Sequence, residues 1–324
     1  MRLHHNLISF SGGNEFSSRA DFYSRMRIVT TILCLGLFAA ACSNRPVLEN
    51  PSDEFLPGKK LAELTNEKLY EVSGIASSIK NPGYLWAHND SENGTQVFLI
   101  NQKLEIALTC TLKNVNNRDW EDIAVGPGPE NGKTYIYIGE IGDNRAKYRF
   151  KRVYRFEEPL LTKGQSSMVV ADFDTIIFRL PAKKDAETLM IDPTTRNLYI
   201  VSKREDPVHL YELPYPYSTS DTLFAAEVAT LPLTQIVSGD ISQDGKQVLL
   251  KNYETIYFWN NPEGKPLKDL MREKPQEVPY EEEPQGESIT WAKDGSGFYT
   301  LSEQNATTDT WLYFYQRKHR LGSR

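Results

Sequence analysis

The chain has 324 residues, 40% of them hydrophobic and 11% aromatic, enough apolar material for one large core. A formal net charge of -6 gives no electrostatic case for nucleic acid, and no nucleic-acid motif accompanies the basic stretches.

Residues 1–25 are polar, lack the logic of an export signal and read as an upstream extension. Met26-Arg27, the apolar run from Ile28 to Phe38 and then Ala39-Ala40-Ala41-Cys42 read as a lipoprotein signal over 26–41. The apolar run is short for a membrane span. Cys42 is therefore the expected lipidation site, and Ser43 after it favours retention at the outer membrane, facing the periplasm. An ordinary secretory signal cut after Ala41 is the alternative, and it too exports the chain. Residues 42–57, rich in Pro, Ser and acids, read as a flexible tether. With Cys34 in the signal and Cys42 acylated, Cys110 has no disulfide partner, and its alternating strand context marks a buried structural thiol.

From 58 to 318 one pattern recurs with a period of about fifty residues, the signature of a β-propeller. Five short strands open the units: Val72 to Ala76, Trp120 to Ala124, Ala186 to Met190, Gly239 to Ser242 and Gly286 to Thr290. Each leads through a turn such as Asn131-Gly132 or Asp244-Gly245 into a second strand, and then into a third rich in aromatic residues. Outer strands follow at Ile106 to Thr109, Thr175 to Phe178, Ala226 to Ala229 and around Leu267 to Met271. The fifth unit has none, so Lys60 to Leu64 is expected to supply it and close the ring, removing open edges. The reading is an all-β, five-bladed propeller; six blades is the alternative if the long second unit, Glu121 to Pro181, holds an extra hairpin. The basic run Lys147 to Arg155 reads as an edge strand with one solvated face, and 319–324 as a tail.

In a propeller, the loops entering the first strands and those joining second to third strands emerge on one face. That brings together Glu121, Asp122, Glu187, Asp240 and Glu287 from strand starts. From the loops come His88, Asn89, Asp90, Glu140, Asp143, Asn144, Arg145, Lys203, Arg204 and Lys251. Carboxylates crowded at a channel mouth repel unless a cation balances them. Oxygen-rich, cysteine-free surroundings favour a hard cation, Ca²⁺ first and Mg²⁺ second, with the five strand-start acids as its ligands. The structural alternative is that these acids bind strand-start amides and pair with Lys203, Arg204 or Lys251. Motifs for a serine nucleophile, a zinc protease or a phosphate-binding glycine loop are absent. His88 and Glu140 are the candidate bases, and the remaining loop residues the candidate ligand contacts.

The strings Leu85-Trp86-Ala87-His88-Asn89-Asp90-Ser91, Asp119-Trp120-Glu121-Asp122-Ile123-Ala124, Gly139-Glu140-Ile141-Gly142-Asp143-Asn144 and Gln285-Gly286-Glu287-Ser288-Ile289 resemble motifs of uncharacterised exported bacterial propeller lipoproteins, loosely of the phytase-like and SdiA-regulated type. The resemblance spans nearly the whole chain after the signal. It implies the propeller fold, the site face and, from phytase-like relatives, calcium-dependent hydrolysis of phosphoesters. The chain departs from that pattern in its phosphate grip, where only Arg145, Lys203, Arg204 and Lys251 are available. The expected function is an envelope-tethered propeller that binds a divalent cation in its acidic mouth and acts there on a small anionic or sugar-like ligand, with metal-dependent hydrolysis as the corresponding chemistry. The competing expectation is a non-enzymatic binding or assembly platform in the cell envelope, so the partner is a small molecule or an envelope protein. The only membrane contact expected is the N-terminal lipid anchor.

Overall fold

The computed structural model describes residues 50–91, 93–304 and 308–318. The expected signal, Cys42, the first part of the tether and the 319–324 tail lie outside the described residues. Among the described residues, no helix is long and apolar enough to cross a membrane.

The chain forms β1 (Lys59–Glu63), then β2 (Val72–Ser77), β3 (Tyr84–Asn89), β4 (Gln96–Asn101) and β5 (Ile106–Leu112). There follow β6 (Trp120–Pro127), β7 (Thr134–Glu140), β8 (Lys151–Glu157), β9 (Ser167–Val170) and β10 (Asp174–Arg179). Then come β11 (Ala186–Ile191), β12 (Leu198–Ser202), β13 (Val208–Leu213), β14 (Leu223–Phe224) and β15 (Ala226–Leu231). The chain continues through β16 (Ser238–Ile241), β17 (Gln247–Lys251), β18 (Ile256–Asn260), a short helix α1 (Leu267–Leu270) and β19 (Gln276–Val278). It ends in β20 (Ser288–Trp291), β21 (Gly297–Leu301) and β22 (Trp311–Gln316).

These strands make five separate sheets, the blades of a β-propeller. The innermost strands β2, β6, β11, β16 and β20 touch in cyclic order, with β20 returning to β2. β1 pairs antiparallel with β22, so the N-terminal strand completes the fifth blade as expected. The hydrophobic core divides into five clusters, one in each gap between adjacent blades. Every inner sheet face is thus covered, which explains strands such as β2 and β11 that are buried at each position rather than alternating.

Four details depart from the sequence reading. The outer strand of the fourth blade is β19, and Leu267–Leu270 is helical instead; Leu267, Leu270 and Met271 recur at helical spacing and all enter the core. The extra length of the second unit builds no sixth blade: β9 joins the first blade, parallel to β5. That crossing is anchored by the buried Glu158 carboxylate, which accepts from Ser78 Oγ, Ile79 N, Lys80 N, Trp86 Nε1 and Thr134 Oγ1. The Lys147 to Arg155 run is no edge: its second half is β8, enclosed between β7 and β10, with Lys151 and Arg155 buried. Finally, residues 50–57 of the expected tether lie on the propeller, where Phe55 is 1% exposed and packs edge-on against Phe258 and Phe298. Cys110 is fully buried, and burial pushes its thiol up to about 12, as a structural cysteine requires.

Candidate functional site: an acidic mouth built on repeated bulges

The site follows from a backbone irregularity repeated around the ring. In the first three blades the pairing of the innermost strand slips by one residue near its start, and the extra residues are Ser73, Glu121 and Glu187. A bulge re-aims its side chain. In four blades the carbonyl two residues upstream of this position accepts from the chain just beyond the second strand: Glu71 from Asp90, Asp119 from Gly142, Asp185 from Lys203 and Gln285 from Glu303. Equivalent backbone positions therefore present Glu71, Asp119, Asp185 and Gln285, then Ser73, Glu121, Glu187 and Glu287, then Asp90, Gly142, Lys203 and Glu303.

Carboxylate oxygens of Asp90, Asp119 and Glu121 lie within 4.8 Å of one another, as do those of Glu121, Asp185 and Glu187. Glu121 is common to both groups. It is 5% exposed and makes no side-chain hydrogen bond or ion pair among the described residues. Burial, then the charges of Glu187, Asp90, Asp119 and Glu287, hold its carboxyl well above the usual range. Space beside it exists because the equivalent position opposite is glycine: a β-carbon on Gly142 would overlap both Glu121 Oε1 and Asp119.

The neighbouring acids are better served. Lys203 Nζ is 2.5 Å from Glu187 Oε2 and 3.7 Å from Glu287 Oε1; although burial opposes its charge, Glu187 and Glu287 hold the ammonium above its usual range. Tyr253 donates its hydroxyl to Glu287 Oε1 at 2.5 Å. Asp185 accepts from Arg204 Nε at 2.6 Å and from Asp143 N at 2.7 Å. Burial, Asp90 and Asp185 push Asp119 up to about 6, against Lys151 and Arg118. Burial, Glu287 and Asp90 push Glu303 up to about 8.

Of the five acids read as ligands, the structure brings together Glu121, Glu187 and Glu287 but not Asp122 or Asp240. Asp122 turns into the ring, accepting from Ile123 N and, in the next blade, from Leu189 N, both at 2.9 Å. Asp240 does the same with Ile241 N and with Trp291 N of the fifth blade. Each carboxylate joins two blades by backbone N–H groups, which leaves no role as a mouth ligand.

The expected bases also move. His88 is fully buried between the first two blades, edge-on to Trp120, with Nδ1 3.0 Å from Asn89 O; burial lowers it to about 4, so it is neutral and inaccessible. Glu140 is held by Arg152, by Tyr154 Oη at 3.1 Å and by Arg118 at 3.6 Å, so its carboxylate is already paired. Lys251 lies buried behind Glu287, its ammonium on Tyr280 Oη and Gly286 O, and burial lowers it to about 8. Asn89 donates to Lys68 O, and Asp143 shapes its own loop by accepting from Lys147 N and Tyr148 N at 2.7 Å each. Asp90, Lys203 and Arg204 stay at the mouth; Asn144, paired with Arg204, and Arg145 lie on its exposed rim.

Asp119 and Asp185 are site residues that the strand-start acids alone do not reveal. Their signal is nonetheless in the sequence: Asp119-Trp120-Glu121 and Asp185-Ala186-Glu187 repeat one Asp-x-Glu pattern on successive blades. In sequence comparisons no protein-family model and no curated protein matches this chain.

Proposed function

We propose that the mouth binds a divalent cation at Glu121, between the Asp90–Asp119 pair and the Asp185–Glu187 pair, and acts there on a small anionic or sugar-like ligand. One observation carries this reading: Glu121 is a buried carboxyl group with no donor or cation partner among the described residues, surrounded by four more carboxylates, in space that a glycine keeps open. A buried unpaired charge costs several kcal/mol, and a hard cation held by oxygen ligands removes that cost. Calcium suits this flexible all-oxygen set best, magnesium next. Such an ion polarises a phosphoryl or carbonyl oxygen and acidifies bound water, so metal-assisted hydrolysis of a phosphoester-type substrate is the corresponding activity. The binding-platform alternative calls for a broad exposed aromatic surface. Of the described exposed apolar side chains, Tyr148 and Phe150 share one loop, whereas Leu56, Leu160, Val169 and Phe224 lie on separate segments, which is less than a broad aromatic surface.

Calorimetric titration of chelator-treated protein with Ca²⁺ and Mg²⁺, followed by a screen against phosphoesters, lactones and glycosides, tests the proposal. Absence of binding by either ion overturns the cation site; binding without turnover removes the hydrolase. We also infer export as a lipoprotein anchored through Cys42, supported by the Ala39-Ala40-Ala41-Cys42 string. Cys42→Ser should then release the protein from membranes, and a wild type found wholly in the soluble periplasmic fraction overturns it.

A further inference from the structure

The rim of the mouth between β7 and β8 is built unlike the rest of it. Residues 144–150 are all exposed and read Asn-Arg-Ala-Lys-Tyr-Arg-Phe, three cations and two aromatic rings beside a cluster of acids. The conformation of this loop is fixed from its root. Asp143 accepts from the backbone of Lys147 and Tyr148, gives its own N–H to Asp185 of the next blade, and its carbonyl accepts from Ala146, which sits in the left-handed region at φ 49°. Arg118 lies 4.1 Å from the centre of the Tyr148 ring and donates to Phe150 O at 3.4 Å, so the two rings are presented, not buried. Each is 40% exposed. Arg145, Lys147 and Arg149 form no ion pair among the described residues, although acids crowd the mouth next to them. Among the described residues, the ring contacts of these five side chains are Arg118 over Tyr148 and Arg149 over Phe150, the latter 5.4 Å from the ring centre.

We propose that this loop is the recognition subsite of the mouth and takes an anionic sugar. The ring of the sugar lies on Tyr148 and Phe150, and its phosphate or carboxylate pairs with Arg145, Lys147 and Arg149. Aromatic faces accept the C–H faces of a sugar ring, while guanidinium and ammonium groups supply charge-assisted hydrogen bonds to its anion. The inference deepens the cation-site reading and rests on it only for what happens at the far end of the ligand, where the mouth begins at Gly142.

Isothermal titration of the full-length protein in calcium buffer, with glucose 6-phosphate, glucuronate, glucose and inorganic phosphate as probes, separates ring from charge. The two sugar anions should bind about tenfold more tightly than glucose or phosphate. The variant Arg145→Ala/Lys147→Ala/Arg149→Ala should lose about tenfold in affinity for both sugar anions. The variant Tyr148→Ala/Phe150→Ala should erase the preference for sugar anions over phosphate. Both variants should keep the wild-type calcium shift in melting temperature. If wild type shows no calcium response but the variants still weaken sugar-anion binding, the cation site falls and this subsite stands. Sugar-anion binding that is absent in wild type, or unchanged in both variants, overturns the subsite. So does loop-dependent binding to phosphatidylglycerol vesicles in place of the sugars, which would make the loop a membrane contact.

Discussion

Lys203 Nζ lies 2.5 Å from Glu187 Oε2, whereas Glu121, at the equivalent bulge one blade earlier, has no cation beside it among the described residues. Two glutamates in the same backbone position therefore face opposite electrostatic situations. Where the third position of the repeat supplies a lysine the acid is neutralised within the protein; where it supplies Gly142 it is not.

The contrast gives opposite mutational signs. Glu187→Gln leaves a buried ammonium short of a partner and should destabilise the protein by about 1–3 kcal/mol, with or without calcium. Glu121→Gln replaces a carboxyl group whose ionisation burial and the neighbouring acids oppose, and should stabilise the chelator-treated protein by on the order of 1 kcal/mol. In wild type, calcium at a hundredfold excess over its dissociation constant should add about 2.7 kcal/mol; Glu121→Gln should lose that gain. Thermal melts of both variants with chelator and with calcium check this. A calcium shift retained in Glu121→Gln would remove this carboxylate from the site.

Asp122 and Asp240 should behave as joints between blades. Asp122→Ala leaves the N–H groups of Ile123 and Leu189 without acceptors inside the ring, at about 1–3 kcal/mol each. Denaturant unfolding should show this loss while the calcium shift of the melt keeps its wild-type size. A calcium response abolished by Asp122→Ala in folded protein would return Asp122 to the mouth.

How much of this was legible in the sequence depends on what sets each feature. The five blades and the closing strand were legible, because strand identity follows from local apolar patterning and from turns such as Asn131-Gly132. The division of labour between Glu121 and Asp122 was not. Strict alternation places neighbouring residues on opposite faces, but a bulge decides which of them enters the mouth, and a bulge is a property of pairing with β7. Phe55 was hidden for a related reason. A Pro- and acid-rich segment reads as a tether, yet one aromatic residue that meets Phe258, Trp291 and Phe298 is enough to hold it down. The Leu267 to Met271 stretch was too short for helical and strand spacing to be told apart without its core partners.

The N-terminal segment offers a graded test of closure. A chain beginning at Gly58 keeps β1 but loses Phe55, and should cost about 3–5 kcal/mol, the usual loss for deleting a buried phenyl group. A chain beginning at Glu67 also loses β1 and its ladder on β22, and should be less stable again or fail to fold. Chemical denaturation relative to a chain beginning at Asn50 measures both steps. Equal stability of the Asn50 and Glu67 chains would refute closure by β1.

Burial of His88 predicts a pH effect with a definite sign. Its folded value of about 4 lies below the ordinary 6.5, so the folded protein binds fewer protons than the unfolded chain in this range. The resulting stability is complete above about pH 6.5 and is lost as pH falls toward 4, up to about 3 kcal/mol. Asp119 and Glu303 have raised values and act in the opposite direction, so the wild-type curve alone mixes the two. The difference between wild type and His88→Gln isolates the histidine: Gln cannot charge, and the gap between the two stability curves should narrow by about that amount from pH 7 to pH 4.5. An imidazole resonance of His88 that titrates near pH 6.5 in the folded protein would show the ring to be solvated instead.

Gly142 supplies the most direct test of the space at the mouth. A β-carbon there would overlap Glu121 Oε1, the end of a flexible side chain, and the carboxyl group of Asp119. Gly142→Ala should therefore push these two carboxylates aside without unfolding the blade, costing about 1–3 kcal/mol as an overpacking change. Displacing two oxygen ligands of a hard cation is more serious for binding, because geometry at such sites is set by ligand number and position. The melt of Gly142→Ala in chelator should stay cooperative and fall only by that overpacking cost, and its calcium affinity, read by titration calorimetry, should fall by at least about tenfold, the equivalent of about 1.4 kcal/mol. Gly142→Ala with unaltered calcium affinity would place the cation away from Glu121; loss of calcium affinity in a protein that still unfolds cooperatively would locate it in the space that only a glycine leaves open.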